Sequence, residues 1–393
     1  MPEARVARRH SIVALISARG GGDWPSVVAL ALGLHDRGHV VSLVCDRSTE
    51  AAVRSTGVPT ICVPPALEQG DIRMAIARSP EIGPETPNPL VEWAQACAPP
   101  MRAHIQPRRP IVLLGSLLCM GLADQLASDL GIPWCFVNPS FYFGEDSGRP
   151  WDVDFLGVSI RTFRYWFQPL LHKANLVLHA TDTAFDVPPP NLPRHHHYVG
   201  PLIWEPSIVA PAFLRAPGAP WVLVSLSTVP QTGEVAIAQA AVGAFKHKAV
   251  RVLVTLSPEH AAQLGEVPDH VYLANYVPHS TVLANSRLVI THAGHGIVMK
   301  ALYHGVPMVL VPWGRDQPGV AARAEALGVA TVVRREAFNN ASVAQAAHRI
   351  LNDPRYTERA RAISKRLQAE DSVSVACAQL DIFLTSAVEE SIH

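Results

Sequence analysis

The chain has 393 residues, 48% of them hydrophobic and 17% charged. Lysine plus arginine equal aspartate plus glutamate at 33 each, which gives no reason to expect nucleic acid or an anionic membrane as partner. The length predicts two domains of roughly 150–200 residues, and no apolar run is long enough to span a membrane.

The first segment, "ARVARRHSIVALISA", imitates a secretion signal, but its apolar run is short and no small-residue cleavage site follows. A first β-strand over 11–17 is expected instead. "PSVVALALGLHDRG" (25–38) then reads as a helix, with Pro25 in its first turn and Gly38 as its stop. Further strands are expected at 39–45, 60–64, 111–115 and 133–138. Apolar strands separated by helices predict a parallel sheet covered on both faces. The rhythm fails between Pro64 and Pro110 and again over 139–172, where aromatic residues gather. Trp93 lies in the first of these stretches. Phe141, Tyr142 and Phe143 follow a strand end, where open α/β sheets bind ligands, and are candidates for a pocket wall. Residues 161–171 read as an amphipathic helix.

The proline-rich segment 186–220 reads as a linker. Its "HHH" at 195–197 is expected to be a solvated strand entry, because adjacent strand residues point to opposite faces and cannot converge on a metal. Six more strands follow in "WVLVSLS", "VRVLVTL", "HVYLANY", "RLVITH", "PMVLVP" and "VATVV". Six cysteines (Cys45, Cys62, Cys97, Cys119, Cys135, Cys377) show no close pairing and are expected to be reduced and buried in a cytoplasmic protein.

One motif carries chemistry. In "RLVITHAGHGIVMKALY" a strand runs into glycines and then a helix start. Free N–H groups and the positive dipole end of the helix favour an anion there. His292 at the strand tip can donate to a phosphate oxygen, and Gly294 and Gly296 would let the backbone approach a bulky ligand.

From 275 to 330, "NYVPHSTVLANSRLVITHAGHGIVMKALYHGVPMVLVPWGRDQPGVAARAEALGVA" resembles the donor-binding signature of glycosyltransferase family 1. "RGGGDWPSVVALALGLHDRGHVVSLV", "YVGPL", "WVLVSLST" and the C-terminal "ERARAISKRLQAEDSVSVACAQLDIFL" extend the resemblance over nearly the whole chain. It implies a GT-B fold: two Rossmann-like doubly wound α/β domains with an interdomain cleft. The implied divisions are 1–205 for the acceptor, 206–372 for the nucleotide sugar, and a helix within 373–393 crossing back to the first domain.

Site roles follow from the same resemblance. Tyr276 and Val277 would face the nucleobase. Ser227, Thr228, His292 and the backbone around Gly294, His295, Gly296 and Ile297 would hold the diphosphate. Trp313, Asp316 and Gln317 would hold the sugar. Trp24, Trp93, Phe141, Tyr142 and Phe143 would line the acceptor site. Two positions depart from the family. Lys300 stands where a ribose-binding glutamate is usual, and a charged lysine cannot accept the ribose hydrogen bonds. The first strand–helix loop, "SARGGGDWP", lacks the usual histidine base. Asp23 is its only carboxylate and the candidate base, with Glu145 and Asp146 next in line. A cap role for Asp23 is less natural, since Pro25 in the first turn predicts Trp24 as the cap residue.

The implied activity is inverting transfer of a hexose from a UDP- or dTDP-sugar to a hydroxyl of a hydrophobic acceptor. No metal or other cofactor is expected, and the protein would be a monomer or homodimer. A sugar-nucleotide epimerase and a non-catalytic sugar-nucleotide-binding partner protein remain as alternatives.

Overall fold

The computed structural model describes residues 9–17, 22–70, 82–143, 163–228, 231–246 and 250–390. Two parallel sheets organise them. The first contains β1 (Ser11–Leu15), β2 (Val40–Cys45), β3 (Thr60–Cys62), β4 (Val112–Gly115), β5 (Trp134–Asn138), β6 (Leu176–His179) and β7 (His196–Tyr198), in the order β3-β2-β1-β4-β5-β6-β7. The second contains β8 (Trp221–Ser225), β9 (Arg251–Thr255), β10 (Val271–Ala274), β11 (Ser286–Thr291), β12 (Met308–Leu310) and β13 (Ala330–Val332), in the order β10-β9-β8-β11-β12-β13.

Helices cover both faces, so most central strands are buried on both sides and read as unbroken apolar runs. In each sheet the first strand has its successors on one side and later strands on the other. This leaves a crevice at the strand C-termini between β1 and β4, and another between β8 and β11, where ligands of open α/β sheets bind.

Four readings need correction. The "HHH" segment is not solvated: His196 opens β7, is buried, and packs its ring on His179 at 5.2 Å. The linker expected from 186 therefore still contains a strand of the first sheet. The prolines at 99 and 100 also hid the helix Pro89–Ile105, which contains both. Interior proline costs roughly 3 kcal/mol, offset here by burial of Leu90, Cys97, Met101 and Ile105. Five of the cysteines are buried, whereas Cys62, near a sheet edge, is exposed.

The last helix, Ser372–Glu390, packs on the helix Trp24–Asp36 of the first domain. Its Ala376, Cys377, Leu380 and Leu384 join the core beneath β1. Burial of each leucine stabilises this docking by roughly 2 kcal/mol. Gly33 permits the close approach, since a Cβ there would lie 2.2 Å from Val373 Cγ1.

Candidate active site

At the crevice of the second sheet, Ser225 ends β8 and Thr291 ends β11. The helix His295–Tyr303 begins directly afterwards, with Gly294 at its N-cap and no side chain capping its first N–H groups. Between them Ala293 adopts φ +69°, a left-handed conformation that costs a non-glycine residue roughly 1 kcal/mol. That turn sets the helix start over the crevice.

His292 is buried beneath it. Its Nδ1 lies 3.3 Å from the Ser225 carbonyl and 3.2 Å from Thr291 Oγ1. The Thr291 hydroxyl donates to the same carbonyl at 2.8 Å. A carbonyl only accepts, so these partners assign the proton to Nδ1 and leave a lone pair on Nε2. Burial first, then repulsion from Arg315, lowers the His292 pKa to about 4. The sequence reading had His292 donate to a phosphate oxygen, which the neutral ring cannot do from Nε2. It must first take up a proton. The crowding at Gly294 also has a local cause: a Cβ there would lie 2.6 Å from His292 Nε2. At Gly296 the nearest group to an added Cβ is the Gly22 carbonyl, 3.9 Å away on the other domain.

The remaining donor candidates divide into exposed groups and groups already engaged. Thr228 and Gly296 are exposed, and Tyr276 is 42% exposed. Val277 is fully buried and Ile297 nearly so, so their side chains belong to the core and only their backbones can face a ligand. His295 Nε2 bonds Thr181 Oγ1 of the first domain at 3.0 Å, and burial lowers its pKa to about 3. Lys300 does not point at open space. Its Nζ pairs with Glu205 Oε1 at 2.8 Å. Glu205 also accepts from the His279 and Ser280 N–H groups at 2.8 and 3.0 Å, capping the helix His279–Leu283.

In the "WGRDQ" loop, Gln317 Oε1 accepts from the N–H groups of Trp313 and Gly314 at 2.8 and 2.9 Å. Its carbonyl therefore shapes the loop, and only its NH₂ can reach a sugar. Trp313 Nε1 donates to Thr232 O at 2.9 Å. Asp316 accepts from Ser140 Oγ of the first domain at 2.8 Å, and burial raises its pKa. Sequence reasoning passed over Arg315. It takes φ +62° and donates from Nη1 to Ser227 Oγ at 3.3 Å. The signal was a basic residue beside Asp316 in a loop already assigned to the site.

The other crevice holds Asp23. Contrary to expectation it occupies the N-cap position of the helix Trp24–Asp36, yet its side chain makes no cap hydrogen bond. Asp23 Oδ2 instead accepts from Leu118 N at 3.4 Å, across the crevice beyond β4. Oδ1 is buried with no hydrogen-bond partner. The Ser116 hydroxyl lies alongside, too loosely placed for a hydrogen bond of its own, and favours the anion only weakly. Burial dominates and raises the Asp23 pKa to about 6.

A mostly apolar pocket opens at these strand ends, lined among others by Leu15, Val44, Val63, Gln69, Trp93 and Cys119. Trp93 is held by its Nε1–H bond to Leu67 O at 2.8 Å. The other expected acceptor residues lie elsewhere. Trp24 packs on Trp204, ring centres 5.5 Å apart. Phe141, Tyr142 and Phe143 are buried and turned to other tasks. Phe141 lies under the Arg323 guanidinium at 4.1 Å, Tyr142 sits edge-on to His179 and His196, and Phe143 packs on Phe136. Glu145 and Asp146 fall outside the described residues. Among the described residues no group of three or more His, Cys, Asp or Glu could hold a metal ion, and no helix is long and apolar enough to cross a membrane.

Residues 239–379 match the family model described as "Erythromycin biosynthesis protein CIII-like, C-terminal domain". A "PGL/p-HBAD biosynthesis glycosyltransferase" of Mycobacterium tuberculosis is 26% identical over 179 residues, 46% of this chain and 41% of that protein. The chain thus matches less than half the length of that relative. Among solved structures, CalG4, the calicheamicin glycosyltransferase, superposes with a TM-score of 0.70 at 21% identity, covering 96% of this chain and 99% of that one. Glycosyltransferase VinC in complex with dTDP gives 0.69 at 20% identity, covering 96% and 100%. The fold is GT-B, and the resemblance to glycosyltransferases in sequence is carried by the second half of the chain.

Proposed function

We propose, on the premise of a GT-B chain with a family 1 donor motif, that this protein transfers a hexose from a UDP- or dTDP-sugar to a hydroxyl of an apolar acceptor, with inversion. The sugar nucleotide is the only co-substrate in this reading, and no metal or other cofactor is assigned. One observation carries it. The loop that bears Asp23 meets the anion-favouring helix start across the cleft, with the Gly22 carbonyl beside Gly296. The residue after Gly22 is thus a buried carboxyl with a pKa of about 6, on the same side of the cleft as the loop that meets the leaving-group site.

In the reaction Asp23 takes the acceptor's hydroxyl proton. The acceptor oxygen forms its bond to the anomeric carbon as the bond from that carbon to the diphosphate oxygen breaks. The diphosphate leaves with the electron pair, facing the N–H groups at the start of the helix His295–Tyr303. The acceptor would enter at the strand ends near Trp93, where the small pocket has to widen before it can take the acceptor's body. A fold neighbour seen with dTDP supports dTDP as one of the two nucleotides.

The test is a panel of phenolic, steroid and polyketide hydroxyl acceptors incubated with UDP- and dTDP-sugars. Glycoside mass and released nucleotide are both measured. A glycoside of inverted configuration is expected. Tight sugar-nucleotide binding with no glycoside from any acceptor would favour a binding protein, and acceptor-independent conversion of the sugar would favour an epimerase.

A further inference from the structure

We propose that Arg315 is a diphosphate-binding residue that neutralises the leaving group from the side opposite the helix start; this rests on the donor reading above. The fold places it there. The crevice between β8 and β11 has one wall from Ser225 to Ser227 and another from Thr291 to the helix His295–Tyr303. Arg315 follows β12 on the far side of β11. Even so its guanidinium reaches back over the crevice to Ser227 Oγ, 3.3 Å away. A left-handed backbone at φ +62° aims it, and that conformation is costly for a side chain as large as arginine.

Other cations near the crevice are committed to carboxylates. Lys300 is held by Glu205 at 2.8 Å, and Arg323 by Asp186 at 3.0 Å. His292 is neutral with Nδ1 committed to the Ser225 and Thr291 oxygens. Arg315 is close enough to depress the titration of His292, so its positive field reaches the surface where the diphosphate would lie. The same field acts on buried Glu234, whose pKa burial raises to about 7, so this carboxyl only partly offsets the charge near neutral pH. A planar guanidinium fits phosphate oxygens in pairs, and Ser227 Oγ beside it extends the same cradle.

The experiment measures binding of UDP, dTDP, uridine and thymidine by calorimetry or by competition, for wild type, Arg315→Gln and Arg315→Gly. Glycine suits the left-handed backbone, so Arg315→Gly is expected to unfold no earlier than wild type. Both variants should bind the diphosphates on the order of 10- to 100-fold more weakly, as for loss of a charge-assisted pair. Nucleoside affinity should stay unchanged. Equal diphosphate affinity in wild type and variants would overturn the role of Arg315 alone. So would equal losses for nucleoside and diphosphate. Failure of the wild type to bind either diphosphate would overturn the donor reading and this inference together.

Discussion

Replacing Asp23 by asparagine should make the protein both more stable and nearly inactive. The Asp23 pKa rises from 3.8 to about 6 because the carboxyl is buried, with one weak hydrogen bond to Leu118 N. At ~1.36 kcal/mol per unit, that rise corresponds to about 3 kcal/mol of destabilisation once the carboxylate is charged in both folded and unfolded chains. The sign follows from proton counts. Between about pH 4 and 6 the folded state keeps a proton that the unfolded state has lost, so stability falls as pH rises through this window. Below it the contribution is fully present, and above pH 6 the loss is complete. Asparagine has a similar shape and no charge. Denaturant unfolding of wild type and Asp23→Asn should therefore agree near pH 4 and diverge by up to about 3 kcal/mol at pH 8, less whatever the new NH₂ group loses by burial. Turnover should fall on the order of 10²–10⁴-fold, the usual worth of a general base, and least for acidic phenols. The wild-type kcat/KM profile should have an acid limb near pH 6 that the variant lacks. A stability difference independent of pH would show that Asp23 is not a buried charge. Wild-type rates in the variant across acceptors of different acidity would remove it as the base.

His292 should take up a proton when a nucleoside diphosphate binds, because its Nε2 lacks one at neutral pH and its free pKa is about 4. Calorimetry in buffers of different ionisation enthalpy measures this, and a binding heat independent of buffer would refute it; His292→Ala should abolish the uptake and cost on the order of 10²-fold in kcat. Lys300→Met should destabilise by about 3 kcal/mol, since it strands the mostly buried Glu205 carboxylate, and thermal or denaturant unfolding would reveal it. An unchanged midpoint would mean that Lys300 is a surface residue. Gly33→Ala should cost roughly 1–3 kcal/mol by pushing on Val373, and proteolysis should then attack the last helix first. Resistance equal to wild type would show that this helix is not seated as described.

The parallel-sheet architecture was legible because its central strands are buried on both faces and stay apolar throughout. The four inner strands of the second sheet, β8, β9, β11 and β12, could be read that way, and their rhythm carried the edge strands β10 and β13 with them. β7 could not. It is three residues long, lies at the sheet edge, and consists of two histidines and a tyrosine after a proline run. Its interior character comes from its partner: His179 Nε2 meets His196 Nδ1 at 3.1 Å. The donor motif was legible as a motif, but what its side chains do depends on distant partners. Glu205 turns Lys300 inward from 95 positions away, and Ser140 holds Asp316 from 176 positions away. Gln317 points its carbonyl into its own loop, a choice between two ends of an amide that no spacing reveals. Gly294 was read as room for a ligand, when the nearest claimant is the ring two residues before it.

The two halves are matched by particular side chains. Ser140 meets Asp316, Thr181 meets His295, Asp186 meets Arg323, and Asp182 meets Arg366. All four first-half partners follow β5 or β6 at the ends where those strands point into the cleft. Modularity is therefore conditional. A hybrid joining this donor half to another protein's acceptor half would leave Asp316, His295, Arg323 and Arg366 facing strangers unless those four partners travel too. The stretch from Ser372 onward should be inherited with the acceptor half, because its Val373 fits a hollow that only a glycine at position 33 leaves open.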